Sequence, residues 1–162
     1  MLRIPVVLLL LAAVSAHAAN LEIEVRGFKG RNGLLHLAVF DNAEGFAMDV
    51  KPRAMVSESG ELITGIFAAD GQWPHPPVET LMGPVTGKAV TFGPIDLPPG
   101  TYAVGVYQDT NNDQRLGTTF TGRCLEPCGL SNNPPLRDQN PTWENSSFEL
   151  PAEGRRIVID LQ

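Results

Sequence analysis

The residues best placed to do chemistry are Asp109, Asn111 and Asp113, in the run Asp109-Thr110-Asn111-Asn112-Asp113. Side-chain oxygens at alternate positions converge when the backbone curls, and a cluster of oxygen donors suits Ca²⁺. A calcium loop of this type takes ligands at its first, third and fifth positions, a glycine at the sixth and a bidentate Glu at the twelfth. Here Gln114 stands at the sixth and Phe120 at the twelfth. Glu126 and Asp138 are close enough in sequence to complete a shell. The same residue types also build Asx-turns, which order a loop with no metal. Both readings stay open: a weak Ca²⁺ site, or a self-bonded loop.

Two cysteines follow, in Cys124-Leu125-Glu126-Pro127-Cys128. Pro127 and Gly129 favour a turn that brings the sulfurs together, which predicts a Cys124–Cys128 disulfide. A redox pair or a zinc site is the other reading. Redox motifs usually space their cysteines by two at a helix N-terminus, and structural zinc needs four ligands.

A hydrolase would need an activated nucleophile or a metal-bound water. Beyond the first twenty residues the chain has two histidines, His36 and His75, and neither a G-x-S-x-G nor an H-E-x-x-H motif. No catalytic residue is assigned. His36 reads either as a cross-strand surface residue or as a ligand. Trp73 sits among prolines in the irregular stretch 70–87; it either contacts a glycan or partner or caps the open end of the core. Trp143 reads as a core-edge aromatic, and the sequon at Asn145-Ser146-Ser147 as chance. Asn132-Asn133-Pro134-Pro135 fits a tight turn or a binding loop.

These residues belong to a chain of 162 residues, a one-domain length, with net charge −6 and pI near 5.0. An acidic balance without a basic cluster disfavours nucleic acid and anionic lipid as partners. Arg3 and the apolar run Ile4–Val14 precede Ala16-His17-Ala18, a small-x-small cleavage site. As a helix that run is about 16 Å long, short of the roughly 30 Å of bilayer hydrocarbon. The expectation is a signal peptide over 1–18, cut after Ala18. The remaining 19–162 would be one domain of the periplasm or exterior, with no stable membrane insertion.

The body of the chain reads as strands. Leu21, Ile23 and Val25 alternate with Glu22, Glu24 and Arg26; Leu35, Leu37 and Val39 form a second apolar face. Period two marks half-buried strands, and the two look like a hairpin across Gly30–Gly33. Residues 43–48 suggest one helical turn and 54–67 a hairpin around Ser59-Gly60. Further strands are expected at Ala89–Phe92, 101–107, 147–150 and 156–161. Sixteen glycines and fourteen prolines punctuate them. About seven short strands without a long helix predict an all-β fold, an antiparallel β-sandwich with long loops at 70–87 and 108–141.

The leader, the LEIEV strand, GLLHLAVFDNAEGF, DLPPGTYAVGVYQDTNNDQRL, GLSNNPP and the closing SSFELP…RRIVIDL together resemble the DUF2141 family of small exported bacterial proteins, whose function is uncharacterised. The resemblance covers most of 21–162 and is most specific at Leu97–Leu116 and Gly129–Asn133. It implies a prealbumin-like or immunoglobulin-like sandwich in a bacterial envelope. Asp109, Asn111, Asp113 and Leu116 match the family's acidic loop, while Gln114 and Gly117 depart from it. It brings no catalytic residues. The functional expectation is a non-catalytic envelope module binding a protein, polymer or small ligand, with a structural or accessory domain as the alternative and a hydrolase behind both.

Overall fold

In the computed structural model, residues 18–30, 33–50, 53–56, 62–65, 77–119, 123–136 and 141–162 are described. Residues 1–17, and with them most of the expected leader, lie outside these. In chain order the elements are β1 (Ala19–Arg26), β2 (Leu34–Phe40), α1 (Ala43–Val50), β3 (Arg53–Val56), β4 (Leu62–Gly65) and β5 (Glu79–Pro84). They continue with β6 (Ala89–Leu97), β7 (Gly100–Asp109), β8 (Cys128–Leu130), α2 (Trp143–Ser146), β9 (Phe148–Leu150) and β10 (Arg155–Asp160). The protein is mostly β. Ten described strands exceed the expected seven: the proline-rich stretch 70–87 contains β5, and the expected loop 108–141 contains β8. The 54–67 hairpin is present as β3 paired antiparallel with β4; its Ser59-Gly60 turn lies outside the described residues.

One sheet has the order β10-β1-β6, and a larger one has β5-β2-β7, with β8 and β9 both pairing with β7. β9 pairs with Gly100–Tyr102 and β8 with Gly105–Tyr107, so they lie end to end along one edge of β7. Ser131 fills the gap between them. Its N–H donates to the Val104 carbonyl at 2.9 Å, and its hydroxyl accepts from the Val104 N–H at 2.9 Å and donates to the Ser146 carbonyl.

The inward faces are the ones the alternation marks. Leu21, Ile23, Val25, Leu35, Leu37, Val39, Tyr102, Val104 and Val106 are all buried. With Phe92, Ile95, Phe148, Leu150 and Ile159 they form one core to which both sheets contribute. Burial of such side chains is the main stabilising term, about 1.5–3 kcal/mol each. A second cluster, Phe40, Phe46, Ala103 and Leu130, takes Trp143 at its edge, edge-on to Phe46 with centroids 6.1 Å apart.

Three expectations are corrected. β1 and β2 do not form a hairpin: β1 pairs with β6 and β10, and β2 with β5 and β7. The connection between them crosses from one sheet to the other, with Phe28 packed against the core. Period two reports which side of a strand is apolar; two strands facing each other across a core satisfy it as well as two strands side by side. The fold is also not wholly antiparallel, because β10 runs parallel to β1. The Pro151–Gly154 turn carries the chain from β9 in one sheet to β10 in the other, so no hairpin forms there either. Finally, β6 does not stop at Phe92. It passes through Gly93-Pro94 as a bulge, where the register against β1 shifts between Leu21 and Ile23. A proline without an N–H is tolerated at such an irregularity.

At the β6–β7 crossing, the Tyr102 hydroxyl donates to the carbonyl of Pro98 at 2.8 Å. The hydroxyl thus fixes the corner over which the chain changes sheets.

Candidate functional site

Asp109 is the last residue of β7, and its position follows from the strand. Tyr107 and Asp109 alternate with the inward-facing Val104 and Val106, so they project from the other face of the sheet. Opposite them on β2, His36 pairs in register with Tyr107. The two rings stack, centroids 4.8 Å apart and planes 7° from parallel. His36 Nε2 lies 3.5 Å from Asp109 Oδ2. His36 is therefore cross-strand, as its register predicts, but its side chain is only 15% exposed.

Asp109 itself is fully buried. Oδ2 accepts a hydrogen bond from the Gln114 N–H at 2.9 Å, while Oδ1 is buried without a hydrogen-bond partner. Burial pushes the carboxyl pKa up. Backbone N–H donors at Gln114, Asn112 and Asp113, with the neighbouring His36, outweigh it and leave the pKa below the ordinary Asp value. The group is a carboxylate with one oxygen committed and one unpaired.

The loop beyond it curls through two left-handed residues, Asn112 (φ 59°) and Gln114 (φ 61°). Gln114 thus takes the backbone conformation for which a glycine was expected at the sixth position. Asn111 Oδ1 accepts from the Asp113 N–H at 3.1 Å, and Asp113 Oδ1 from the Arg115 N–H at 2.8 Å. Both are Asx-turns. The Asn111 amide also donates to Asp113 Oδ2 at 2.9 Å. Among the described residues no three of His, Cys, Asp and Glu group as metal ligands; the third oxygen donor of this loop is the Asn111 amide. Phe120 and Asp138 lie outside the described residues.

Glu126 does reach the loop. Its Oε1 accepts from the Thr110 N–H at 2.8 Å and from the Thr110 hydroxyl at 3.1 Å. Its Oε2 accepts from the Gly117 N–H at 3.3 Å. One carboxylate thus ties the start of the loop to its end. Glu126 sits at the middle of the ring closed by the Cys124–Cys128 disulfide, with its neighbour Leu125 pointing outward, 67% exposed. Beside the disulfide lies a pocket of about 280 Å³, bordered by the exposed Lys29 and Arg123.

Two residues that sequence reasoning passed over complete the base. Gln108 is fully buried and its amide grips the backbone of Lys29 at both ends, accepting from the N–H at 3.0 Å and donating to the carbonyl at 3.1 Å. Gly33 (φ 97°) lies so close to Asp109 that a Cβ there would come within 2.0 Å of the Asp109 carbonyl oxygen. The signal for Gln108 is a large polar residue next to an apolar alternation; no pattern in the sequence points to its partner.

Three other singled-out residues, Asn132, Asn133 and Asn145, hydrogen-bond within the fold. Asn132 (φ 63°) and Asn133 (φ 51°) take the left-handed turn. The Asn132 amide donates to the Ser147 carbonyl at 2.7 Å, and Asn133 bonds the Val158 carbonyl and the Asp160 N–H of β10. Asn145 completes a capping box with Thr142 at the start of α2. Trp73 and His75 lie outside the described residues.

Residues 23–158 match the family described as "Uncharacterized protein conserved in bacteria (DUF2141)", and the chain belongs to that family. No curated protein and no solved structure matches the chain.

Proposed function

We propose that this DUF2141 chain is an exported, non-catalytic module of the bacterial envelope whose Asp109–Asp113 loop binds one Ca²⁺ weakly. It folds as a prealbumin-like or immunoglobulin-like β-sandwich and presents its loops to a protein, polymer or small ligand. β1 begins at Ala19, the residue after the expected cleavage, and the disulfide suits an oxidising compartment. No described helix is long and apolar enough to cross a membrane. The main core, to which both sheets contribute, supports the sandwich, as does the Tyr102–Pro98 bond, which has the form of the tyrosine corner of such folds.

The observation that carries the cation reading is the buried, unpartnered Oδ1 of Asp109. A buried charged oxygen without a donor is costly, and a cation satisfies it. Asn111 and Asp113, already curled toward each other by Asx-turns, supply further oxygens, and water completes the six to eight that Ca²⁺ takes. With two carboxylates the affinity belongs with extracellular modules, at dissociation constants of about 10⁻⁴–10⁻³ M. Calorimetric titration of metal-stripped protein tests this. One-site heat is expected, with a stability gain of about 1.4 kcal/mol at tenfold excess over the dissociation constant, and Asp109→Asn abolishes both. No heat and no gain in melting temperature at 10-millimolar-order Ca²⁺ overturns it.

A second reading, a structural or accessory domain, has its own support. Gly129–Asn133, one of the two segments in which the resemblance is most specific, spends its polar side chains on Val104, Ser146, Ser147 and β10.

A further inference from the structure

The disulfide and the acidic loop meet at Glu126. The Cys124–Cys128 bond closes a five-residue ring, and the carboxylate at its centre holds Thr110 and Gly117. Backbone bonds anchor the ring as well: the Leu125 N–H donates to the Gly117 carbonyl at 2.7 Å, the Gln108 N–H to the Pro127 carbonyl at 2.8 Å and the Gln162 N–H to the Cys128 carbonyl at 2.9 Å, while Cys128 pairs with Tyr107 in β8 and Cys124 bridges to Thr118. Opening the ring removes the covalent constraint that spans Glu126. The disulfide also borders the 280 Å³ pocket beside Lys29 and Arg123.

We infer that the Cys124–Cys128 disulfide is a redox switch on the cation loop, which a dithiol reductant throws. This rests on the Ca²⁺ reading above for its consequence, though not for its mechanical part. A thiolate of the dithiol attacks the sulfur of Cys124, which is more exposed than the buried Cys128. The S–S bond breaks and Cys128 leaves as a thiolate. The reductant's second thiol then attacks its own sulfur in the mixed disulfide and releases Cys124. The protein gains two electrons and two protons as a dithiol, and the reductant departs as a disulfide. Without the ring, Glu126 no longer holds the two ends of the loop, and Asp109, Asn111 and Asp113 lose their common orientation. Linkage is reciprocal, so bound Ca²⁺ makes the disulfide harder to reduce by the same factor that reduction weakens Ca²⁺ binding.

The experiment compares the protein before and after treatment with dithiothreitol, with far-UV circular dichroism to follow the fold. In metal-free protein, reduction should raise amide hydrogen exchange at Thr110 and Gly117 at least tenfold while the β-sheet signal stays. Unchanged exchange overturns the switch whatever Ca²⁺ does, and so does global unfolding, which makes the disulfide a staple. In Ca²⁺ titrations the reduced protein should bind at least tenfold more weakly than the oxidised one, and oxidised Glu126→Gln should match the reduced wild type. Equal affinities in the two redox states overturn the switch. Absence of binding in the oxidised protein overturns the Ca²⁺ reading, and the switch is then judged on the exchange result.

Discussion

Gln108 holds Lys29 by both of its backbone polar groups, taking the N–H at 3.0 Å and giving to the carbonyl at 3.1 Å. The two residues are 79 positions apart. Lys29 lies in the connection that carries the chain from β1 in one sheet to β2 in the other, where no strand ladder satisfies the backbone. A buried side-chain amide does what a neighbouring strand does elsewhere. That same glutamine precedes Asp109, so the crossing and the acidic loop share one anchor.

Replacing Gln108 by Leu keeps the volume and removes both bonds. The Lys29 amide and carbonyl must then find water or go unpaired, at about 1–3 kcal/mol for each group left buried. A loss of about 2–4 kcal/mol is expected in urea unfolding. A loss below 0.5 kcal/mol would mean that the connection is solvated and that Gln108 does not anchor it.

Gly33→Ala should be at least as harmful. The added Cβ would stand 2.0 Å from the Asp109 carbonyl oxygen, at a residue with φ 97°. Backbone must shift, because the obstacle is not a flexible side-chain end. A cost of at least about 1–3 kcal/mol is expected, with altered amide shifts at Asp109 and Thr110. Gly30, whose Cβ would meet nothing within 4 Å, is the control: Gly30→Ala should cost less and leave the Asp109 signals in place.

The faces of the strands are legible from alternation alone, since Leu21, Ile23, Val25, Leu35, Leu37 and Val39 are buried as their spacing requires. Their pairing is not, because period two is local and the partner of β1 is set by β10, more than a hundred residues away. The disulfide is legible from two cysteines in a short turn. The ligand-like residues of the acidic loop are legible by type, but not the single unpaired oxygen of Asp109, which depends on which donor the curled backbone supplies. Glu126 is recognisable as nearby, yet its role as a brace appears only when Thr110 and Gly117 converge on it.

On the outer face of β1, Glu24 lies between Arg26 on its own strand and Arg156 on β10. Hydrogen bonding to Arg26, then to Arg156, holds its carboxyl below the ordinary Glu value. A depressed pKa means that the folded state binds fewer protons than the unfolded chain in the window between the two values. Its contribution is therefore complete above the ordinary Glu value of about 4.3 and is lost as pH falls through the lower folded value. Glu24→Gln should flatten the acid limb of a stability–pH curve there, with little change in shape at neutral pH. Added salt should shrink the wild-type effect, since the group is at the surface. An unchanged acid limb in the variant would assign the acid sensitivity to other carboxylates.

Ser131 offers the sharpest test of the structural hub at Gly129–Asn133. Its side chain accepts from the Val104 N–H and donates to the Ser146 carbonyl, both buried, at the gap between β8 and β9. Ser131→Ala removes one oxygen and leaves a donor and an acceptor stranded in the interior. The expected cost is about 2–4 kcal/mol, which for a chain of this size lowers the melting temperature by roughly 5–15 °C. Asn132→Ala, next along the chain, deletes an exposed bond to the Ser147 carbonyl, and water can replace it. That variant should lose no more than about 1 kcal/mol. Thermal melts of the two side by side decide the matter. Equal losses would show that the left-handed turn itself, and not the Ser131 hydroxyl, holds β8 and β9 on the edge of β7.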